Sequence, residues 1–454
     1  MGNAAKHNIL ILTIDAWRAD FVSSFAGISL TPNLQQLARH TASCQQAYTS
    51  GPWTTPSIVS LFTGQDALSH GVCFSWSSLH DNPQALPSCL AAAGYRVYNF
   101  CYKTASCNYQ DLGFAPEHAP SYPSGPEDSF LPEILARLTE RDEKMPWLGW
   151  YHYKYVHLPY WPTVEFRRLF LSDDVQVPSH LIETVGKMTT IPRGSYDFHP
   201  HDRDIIQRLY AANVRMMDGF LGRVIESLRA SGQLETTTIV ITSDHGDEHL
   251  EHGHLGHAST ARHATLHEEV LRIPLLIIDT RINGPHEIQE LVQIQDLMPT
   301  LLSLAGVAAP ITCLDAVDFS PLLFESSRGD TVSPRPSLTS SRGSQRPVRF
   351  HSSRMGFQTE RRHAHQSIVG FREGAMKYIV ERFDSEQRWL FDLDVDPLEQ
   401  NPRQSGSAVH QAHQRLMELS RGSNTTHADL HEQGPWRRLS RLHGWIHRSR
   451  GIGS

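Results

Sequence analysis

Residues Asn8 to Asp15 read NILILTID and residues Thr236 to Gly246 read TTTIVITSDHG. Each stretch is an apolar, β-branched run that stops on an acid. Ile9 to Ile14 reads as a buried strand ending at Asp15, and Thr236 to Thr242 as another ending in Ser243-Asp244-His245-Gly246. In open α/β sheets, ligands collect outside the carboxyl ends of the strands. Two such strands side by side therefore aim Asp15, Asp244 and His245 at one crevice. Two carboxylates and an imidazole suit one divalent ion such as Mn²⁺, Zn²⁺, Ca²⁺ or Mg²⁺, and the absence of a Cys pair argues against a structural thiolate zinc site.

The rest of the chain alternates strands and helices as a mostly parallel, helix-covered sheet requires. Thr31-Pro32-Asn33 predicts a helix start with proline in the first turn, followed by Leu34, Leu37 and Ala38 at helical spacing. Gly94 to Val97 ends one helix and enters a strand. Trp147 to Tyr155 is aromatic-rich and strand-like, and breaks at His157-Leu158-Pro159-Tyr160. Ile205 to Leu228 predicts an amphipathic helix that feeds the strand carrying Asp244. A further helix runs from Asp296 through Leu304 and stops at Gly306.

From Glu325 to Arg349 the chain is rich in Ser, Arg, Pro and Gly, the composition of a linker or loop. Ser367 to Phe371, Lys377 to Phe383 and Arg388 to Leu393 then predict a small antiparallel sheet. The stretch Trp436 to Arg450 carries five arginines and no acid, with Trp436, Leu439, Leu442 and Trp445 or Ile446 near helical spacing. Its apolar stripe is expected to pack on the body or on a second subunit of a homo-oligomer, ahead of contact with a membrane surface or an anionic partner.

A chain of 454 residues can bury a large core, and its length suggests a big unit with one or two smaller ones. Hydrophobic content of 39%, charged content of 20% and a net charge of −7 describe an ordinary soluble composition, and no nucleic-acid partner is expected. The first strand begins too early to leave room for a signal peptide, and no apolar stretch approaches a bilayer's thickness. The six cysteines show no framework spacing. Together these features predict a reduced, cytoplasmic setting.

Read together, Asn8 to Phe21 (NILILTIDAWRADF), Thr31 to Leu34, Leu61 to Val72 (LFTGQDALSHGV), Thr242 to Glu248 (TSDHGDE), Asp296 to Gly306 (DLMPTLLSLAG) and Leu390 to Glu399 (LFDLDVDPLE) resemble the sulfatases and their relatives in the alkaline phosphatase superfamily. They occur in family order, up to about residue 402, and the opening Asp-x-Trp-Arg-Ala-Asp-Phe is most similar to the phosphonate monoester hydrolase and phosphodiesterase branch. The resemblance implies an α/β fold: a large mixed sheet sandwiched between helices, plus a smaller C-terminal antiparallel sheet with a helix. With the composition above, the chain is expected to divide into a catalytic unit over residues 1–324, a loop or linker over 325–366, a small sheet unit over 367–420 and a basic tail over 421–454. The implied activity is metal-assisted hydrolysis of a small-molecule phosphate, phosphonate or sulfate ester.

The nucleophile departs from the family pattern. Sulfatases carry Cys or Ser, any residue, Pro, Ser or Ala, and Arg, with the first residue oxidised to formylglycine. Here the matching stretch is Thr54-Thr55-Pro56-Ser57-Ile58. The extra methyl on the threonine Cβ blocks oxidation to an aldehyde. Threonine nevertheless serves as nucleophile in other branches of the superfamily, including nucleotide pyrophosphatase/phosphodiesterases and glycerol-phosphate transferases. A hydroxyl bound to a divalent ion loses its proton more readily, so Thr54 is expected both to ligate the ion with Asp15, Asp244 and His245 and to attack the ester.

By the same resemblance His157, in a His-x-Pro-aromatic segment, approaches the transferred group. His257 stands where sulfatases place a basic Lys or His, with His263 as a rival. Lys103 stands in for a family lysine, and Arg18 either pairs with Asp20 or faces the anion. Asp218 is expected to be structural. The first expectation is phosphate or phosphonate ester hydrolysis through Thr54. Sulfate-ester hydrolysis with an unmodified nucleophile is the second, and a catalytically silent binding protein of the same fold the third. The walls of the pocket are expected in Pro120 to Pro132, Val164 to Pro200 and Glu325 to Gln366, where His199, His351 and His363 fall, with His201 just beyond.

Overall fold

The computed structural model describes residues 7–74, 77, 79, 84–101, 112–114, 145–186, 198, 199, 201–258, 263–312, 315–324, 346–356 and 359–422. Its principal strands are β1 (Asn8–Ile14), β2 (Thr41–Tyr48), β3 (Arg96–Asn99), β4 (Trp147–Tyr153), β5 (Thr237–Ser243), β6 (Arg272–Ile273), β7 (Leu275–Ile278) and β8 (His286–Gln293). They form one sheet of order β6-β2-β7-β5-β1-β4-β3, with β8 paired to β2. The run β5-β1-β4-β3 is parallel, and β7 joins antiparallel to both β5 and β2.

The central strands read as unbroken apolar runs because helices cover both faces. Every residue of β1 and β5 is buried. Leu10, Leu12 and Ile14 point to one side, into a core shared with Leu209, Val214, Met217 and Leu221 of α3 (Asp202–Ala230). Ile9 and Ile11 point to the other, where they meet Ile58, Leu61 and Phe62 of α1 (Thr54–Thr63), Leu90 of α2 (Leu86–Ala92) and Leu297, Leu301 and Leu302 of α4 (Leu297–Leu304). This is the sandwich that period-2 alternation on a doubly covered sheet produces.

A second sheet joins β9 (Val348–Ser353), β10 (Ser367–Glu373), β11 (Met376–Arg382) and β12 (Glu386–Asp392) as an antiparallel meander. One face carries Val369, Phe371, Tyr378 and Val380 against Val409, Ala412 and Leu416 of α5 (Ser407–Gly422). The other carries Val348, Phe350, Ile368 and Ile379 against Tyr48, Trp53, Leu266 and Leu271 of the large unit.

Strand β9 falls within the segment expected to be a loop or linker. Its sequence, VRFHSS, offers only Val348 and Phe350 as an apolar alternation, too short a signal beside the Ser- and Arg-rich run before it. Residues 325–345, Pro120 to Pro132 and the basic tail from residue 423 lie outside the described residues. No described helix is long and apolar enough to cross a membrane.

Candidate active site

The three strands at the centre of the large sheet end together. Ile14 is level with Ser243 on one side and with Tyr153 on the other. Asp15 and Asp244 follow immediately, and His152 sits one place inside the end of β4. The turn after β1 is stitched to the turn after β5: Ala16 N donates to Asp244 Oδ1 (3.1 Å) and Trp17 N to Ser243 Oγ (2.8 Å). Ala16 adopts φ 61°, a left-handed conformation that costs an L-residue on the order of 1–2 kcal/mol. The Tyr210 hydroxyl of α3 holds it there by donating to Ala16 O at 2.7 Å while accepting from Arg18 N at 2.8 Å.

Gly246 has its own cause. A Cβ at this position would lie 2.0 Å from the Glu269 carbonyl oxygen, and Gly246 N donates to Val270 O at 2.8 Å. The chain must pass this close for the Asp244-His245 turn to close on the sheet. Thr54 is the first residue of α1, after an extended Trp53 buried between the two sheets. The helix is pinned to the acidic turn by Ser57, whose hydroxyl donates to Asp244 O and pairs with Thr49. Its amino end therefore points a partial positive charge at the crevice.

Within the crevice, His245 Nε2 lies 3.5 Å from Asp15 Oδ1, 3.4 Å from Asp244 Oδ2 and 3.4 Å from Thr54 Oγ1. His152 Nε2 lies 3.3 Å from Asp15 Oδ2 and 3.9 Å from Asp244 Oδ2. Asp15 Oδ1, Asp244 Oδ2 and His152 Nε2 are buried without a hydrogen-bond partner. His245 Nδ1 faces the Gly246 carbonyl at 2.9 Å, so Nδ1 carries a proton, and in the neutral ring Nε2 presents a lone pair to the carboxylates. Converging anions and lone pairs with no donors among them are the arrangement that a divalent cation stabilises, and the residues fit one.

The carboxylates are driven apart in acidity. Burial pushes both up, but for Asp15 the neighbouring His157 foremost, with His152 and His245, outweighs it and holds the group below the usual carboxylate range. Asp244 stays raised, by burial and by repulsion from Asp15, against the pull of His245.

Beside the acids runs a wall of imidazoles. The His245 and His257 ring centroids are 4.1 Å apart, and those of His257 and His157 4.8 Å. Asp247 Oδ1 holds His257 Nδ1 at 2.5 Å, and Tyr160 donates to the other oxygen of Asp247. Burial, with His245 alongside, lowers the His257 pKa to about 4 despite Asp247. His157, held through Nδ1 by the Leu158 carbonyl at 2.5 Å, moves the opposite way: Asp15 and Asp247 outweigh burial and raise it.

The structure thus brings Asp15, Asp244, His245, Thr54, His157 and His257 into one crevice. The other expected site residues among those described lie elsewhere. Arg18 is buried, with its guanidinium donating to Asp20 (2.9 and 2.7 Å), Glu251 (2.8 Å) and Asp247 O (3.0 Å), so its donors are spent on holding the turn rather than on an anion. His263 is taken by Arg354 at 2.8–2.9 Å and lies edge-on to Phe383 of the small unit, which leaves His257 as the histidine beside His245. Lys103 lies outside the described residues. Asp218 accepts from Asn33 and Leu34 backbone N–H groups and from Arg215, a structural role. His351 is buried against Cys73, His199 lies edge-on to His180, and among the described residues His199, His201, His351 and His363 share no ligand cluster.

Sequence reasoning missed His152 and Asp247. For His152 a signal existed: a lone imidazole near the carboxyl end of an otherwise aromatic strand next to β1. Its use depended on knowing that β4 pairs with β1.

A family model described as Sulfatase matches residues 7–307. The chain is 30% identical over 255 residues to arylsulfatase K of Xenopus laevis, a match covering 55% of this chain and 41% of that protein. It is 25% identical to choline-sulfatase of Rhizobium meliloti over 88% of this chain and 83% of the relative. Among solved structures, the phosphonate monoester hydrolase of Agrobacterium radiobacter superposes with TM-score 0.71 at 18% identity, covering 94% of this chain and 97% of the other. At that identity the likeness is one of fold.

Proposed function

The chain belongs to the sulfatase family, and we propose that it is a metal-dependent hydrolase of phosphate or phosphonate esters, mono- or diesters, that uses Thr54 as its nucleophile. The observation that carries this reading is the Thr54 hydroxyl 3.4 Å from His245 Nε2, beside carboxylate oxygens that have no donor of their own. Asp15, Asp244, His245 and Thr54 would hold one divalent ion, which supplies charge neutralisation for a non-bridging oxygen and lowers the proton affinity of the hydroxyl.

In the first step Thr54 gives up its hydroxyl proton to solvent and Oγ1 forms a bond to phosphorus as the bond to the leaving oxygen breaks in line. The leaving oxygen takes a proton from His157, the imidazole that Asp15 and Asp247 bias towards its protonated form. In the second step water attacks phosphorus, the Oγ1–P bond breaks and Thr54 Oγ1 regains a proton from solvent. The water proton passes to His257 Nε2, because Asp247 holds the ring through Nδ1 and burial keeps it neutral. Opposite shifts on neighbouring histidines are the pattern of a paired acid and base.

A second reading, sulfate-ester hydrolysis, is favoured by the names of arylsulfatase K and choline-sulfatase among the relatives. It asks water to release sulfate from a threonine ester, without the self-cleaving hydrate that formylglycine supplies. The retained acid–imidazole cluster argues against a silent binding protein.

Assays of wild type, Thr54→Ser and Thr54→Ala on aryl phosphate, diaryl phosphate, aryl phosphonate and aryl sulfate test this. Thr54→Ala should lose at least ~10³-fold on every substrate and Thr54→Ser should keep measurable turnover. Unchanged turnover by Thr54→Ala would remove Thr54 from the chemistry. A preference for aryl sulfate would select the second reading.

A further inference from the structure

The Thr13 hydroxyl, at the end of β1, has three neighbours: Trp150 Nε1 at 2.9 Å, His152 Nδ1 at 2.8 Å and Tyr151 O at 3.5 Å. An indole N–H only donates and a carbonyl only accepts, while a hydroxyl has one proton and two lone pairs. One arrangement uses all three contacts. Thr13 accepts from Trp150 Nε1–H and from His152 Nδ1–H, and donates to Tyr151 O. A neutral imidazole that carries its proton on Nδ1 has a lone pair on Nε2. In His152 that lone pair meets Asp15 Oδ2 at 3.3 Å and Asp244 Oδ2 at 3.9 Å, and Nε2 is buried with no hydrogen-bond partner.

A lone pair buried against two carboxylates is unfavourable as it stands. A cation among them reverses the sign of each interaction. His245 reaches the same state from the other side, with Nδ1 on the Gly246 carbonyl and Nε2 towards the same two acids. The ligand atoms of Asp15, His152 and Asp244 lie within 4.8 Å of one another, and all three residues are buried. They arrive from three adjacent strand ends, whose register fixes their spacing.

We propose that His152 is a ligand of the same ion as Asp15, Asp244 and His245, fixed in its ligating tautomer by Thr13. The resulting donor set of two imidazoles, two carboxylates and the Thr54 hydroxyl selects an ion of the Zn²⁺ or Fe²⁺ class over Ca²⁺ and Mg²⁺. Imidazole nitrogen suits zinc and iron, whereas calcium and magnesium take oxygen ligands. Thr13 and Trp150 then act as the outer partners that orient a ligating histidine. This inference rests on the metal-site reading above and extends it to ligand number and ion class.

The test uses the full chain, stripped by chelator and titrated calorimetrically with Zn²⁺ and with Ca²⁺. Wild type should bind one Zn²⁺ at least ~100-fold more tightly than Ca²⁺. His152→Gln should lose most of that preference, and Thr13→Val should weaken Zn²⁺ binding ~10-fold or more while leaving Ca²⁺ binding nearly unchanged. The apo proteins are compared by circular dichroism, so that a folding defect is seen as such. X-ray absorption on zinc-loaded wild type, which needs no variant, should count two imidazoles.

One imidazole, or His152→Gln with wild-type Zn²⁺ affinity, overturns the proposal. If Asp244→Asn abolishes binding while His152→Gln leaves it intact, only His152 is dismissed. If wild type takes up no ion, the metal-site reading falls as well.

Discussion

Thr54 differs from serine by one methyl group, and that methyl decides which chemistry is open to it. Oxidation to an aldehyde is blocked, yet the hydroxyl stands beside His245 at the amino end of α1. The proposed ligand residues Asp15, Asp244 and His245 could be picked out because each closes or follows an apolar strand. His257 was legible only through a resemblance, and its anchor Asp247 was hidden inside the motif it serves. A second prediction concerns histidines buried in their neutral form. Burial lowers the His351 pKa to about 4, and burial with Arg18 nearby does the same for His249. Unfolded imidazoles titrate near 6.5, so between pH 4 and 6.5 the unfolded chain binds more protons and stability rises with pH. Each such residue contributes a slope of up to about 1.4 kcal/mol per pH unit. Urea unfolding across that window should show stability falling as pH falls, with a smaller slope in His351→Gln. An unchanged slope in that variant would mean that His351 is not held neutral.

The turns after β1 and β5 do more to build the crevice than the strands themselves. Their apolar runs could be read directly, and α3 was legible as a long amphipathic helix, though it extends beyond the predicted ends to Asp202 and Ala230. What the sequence concealed was pairing: nothing in Trp147 to Tyr155 says that β4 lies next to β1, and this adjacency is what delivers His152. Strand β9 was concealed for another reason, because two apolar residues do not make a periodicity. Gly246 offers a sharp test of the turn. Gly246→Ala places a methyl against the Glu269 carbonyl oxygen, and overpacking of backbone against backbone should cost about 3 kcal/mol. Thermal unfolding measures this, and a variant as stable as wild type would show that the segment Glu268–Leu271 yields easily.

The two sheets are joined by an apolar seam and by a buried ion cluster. Lys377 of β11 is fully buried, with Nζ 2.9 Å from Glu268 and 2.7 Å from Glu399. Removing one member of a buried pair strands the other charges, so Lys377→Met should destabilise by about 3–5 kcal/mol. Restoring part of that loss by adding Glu399→Gln would identify the stranded carboxylate as the cause, whereas no recovery would assign the loss to packing. The seam also carries Trp53, the residue before Thr54, so the small sheet supports the position of Thr54 as well as the fold. None of this was readable from composition, because the partners come from distant segments. The account as a whole depends on one ion gathering Asp15, Asp244, His245 and Thr54. The most direct measurement is anomalous diffraction from crystals loaded with Zn²⁺ or Mn²⁺ and orthovanadate. The account predicts a single anomalous peak among those side chains with vanadium against Thr54 Oγ1. A peak elsewhere, or vanadate seated away from Thr54, would contradict it.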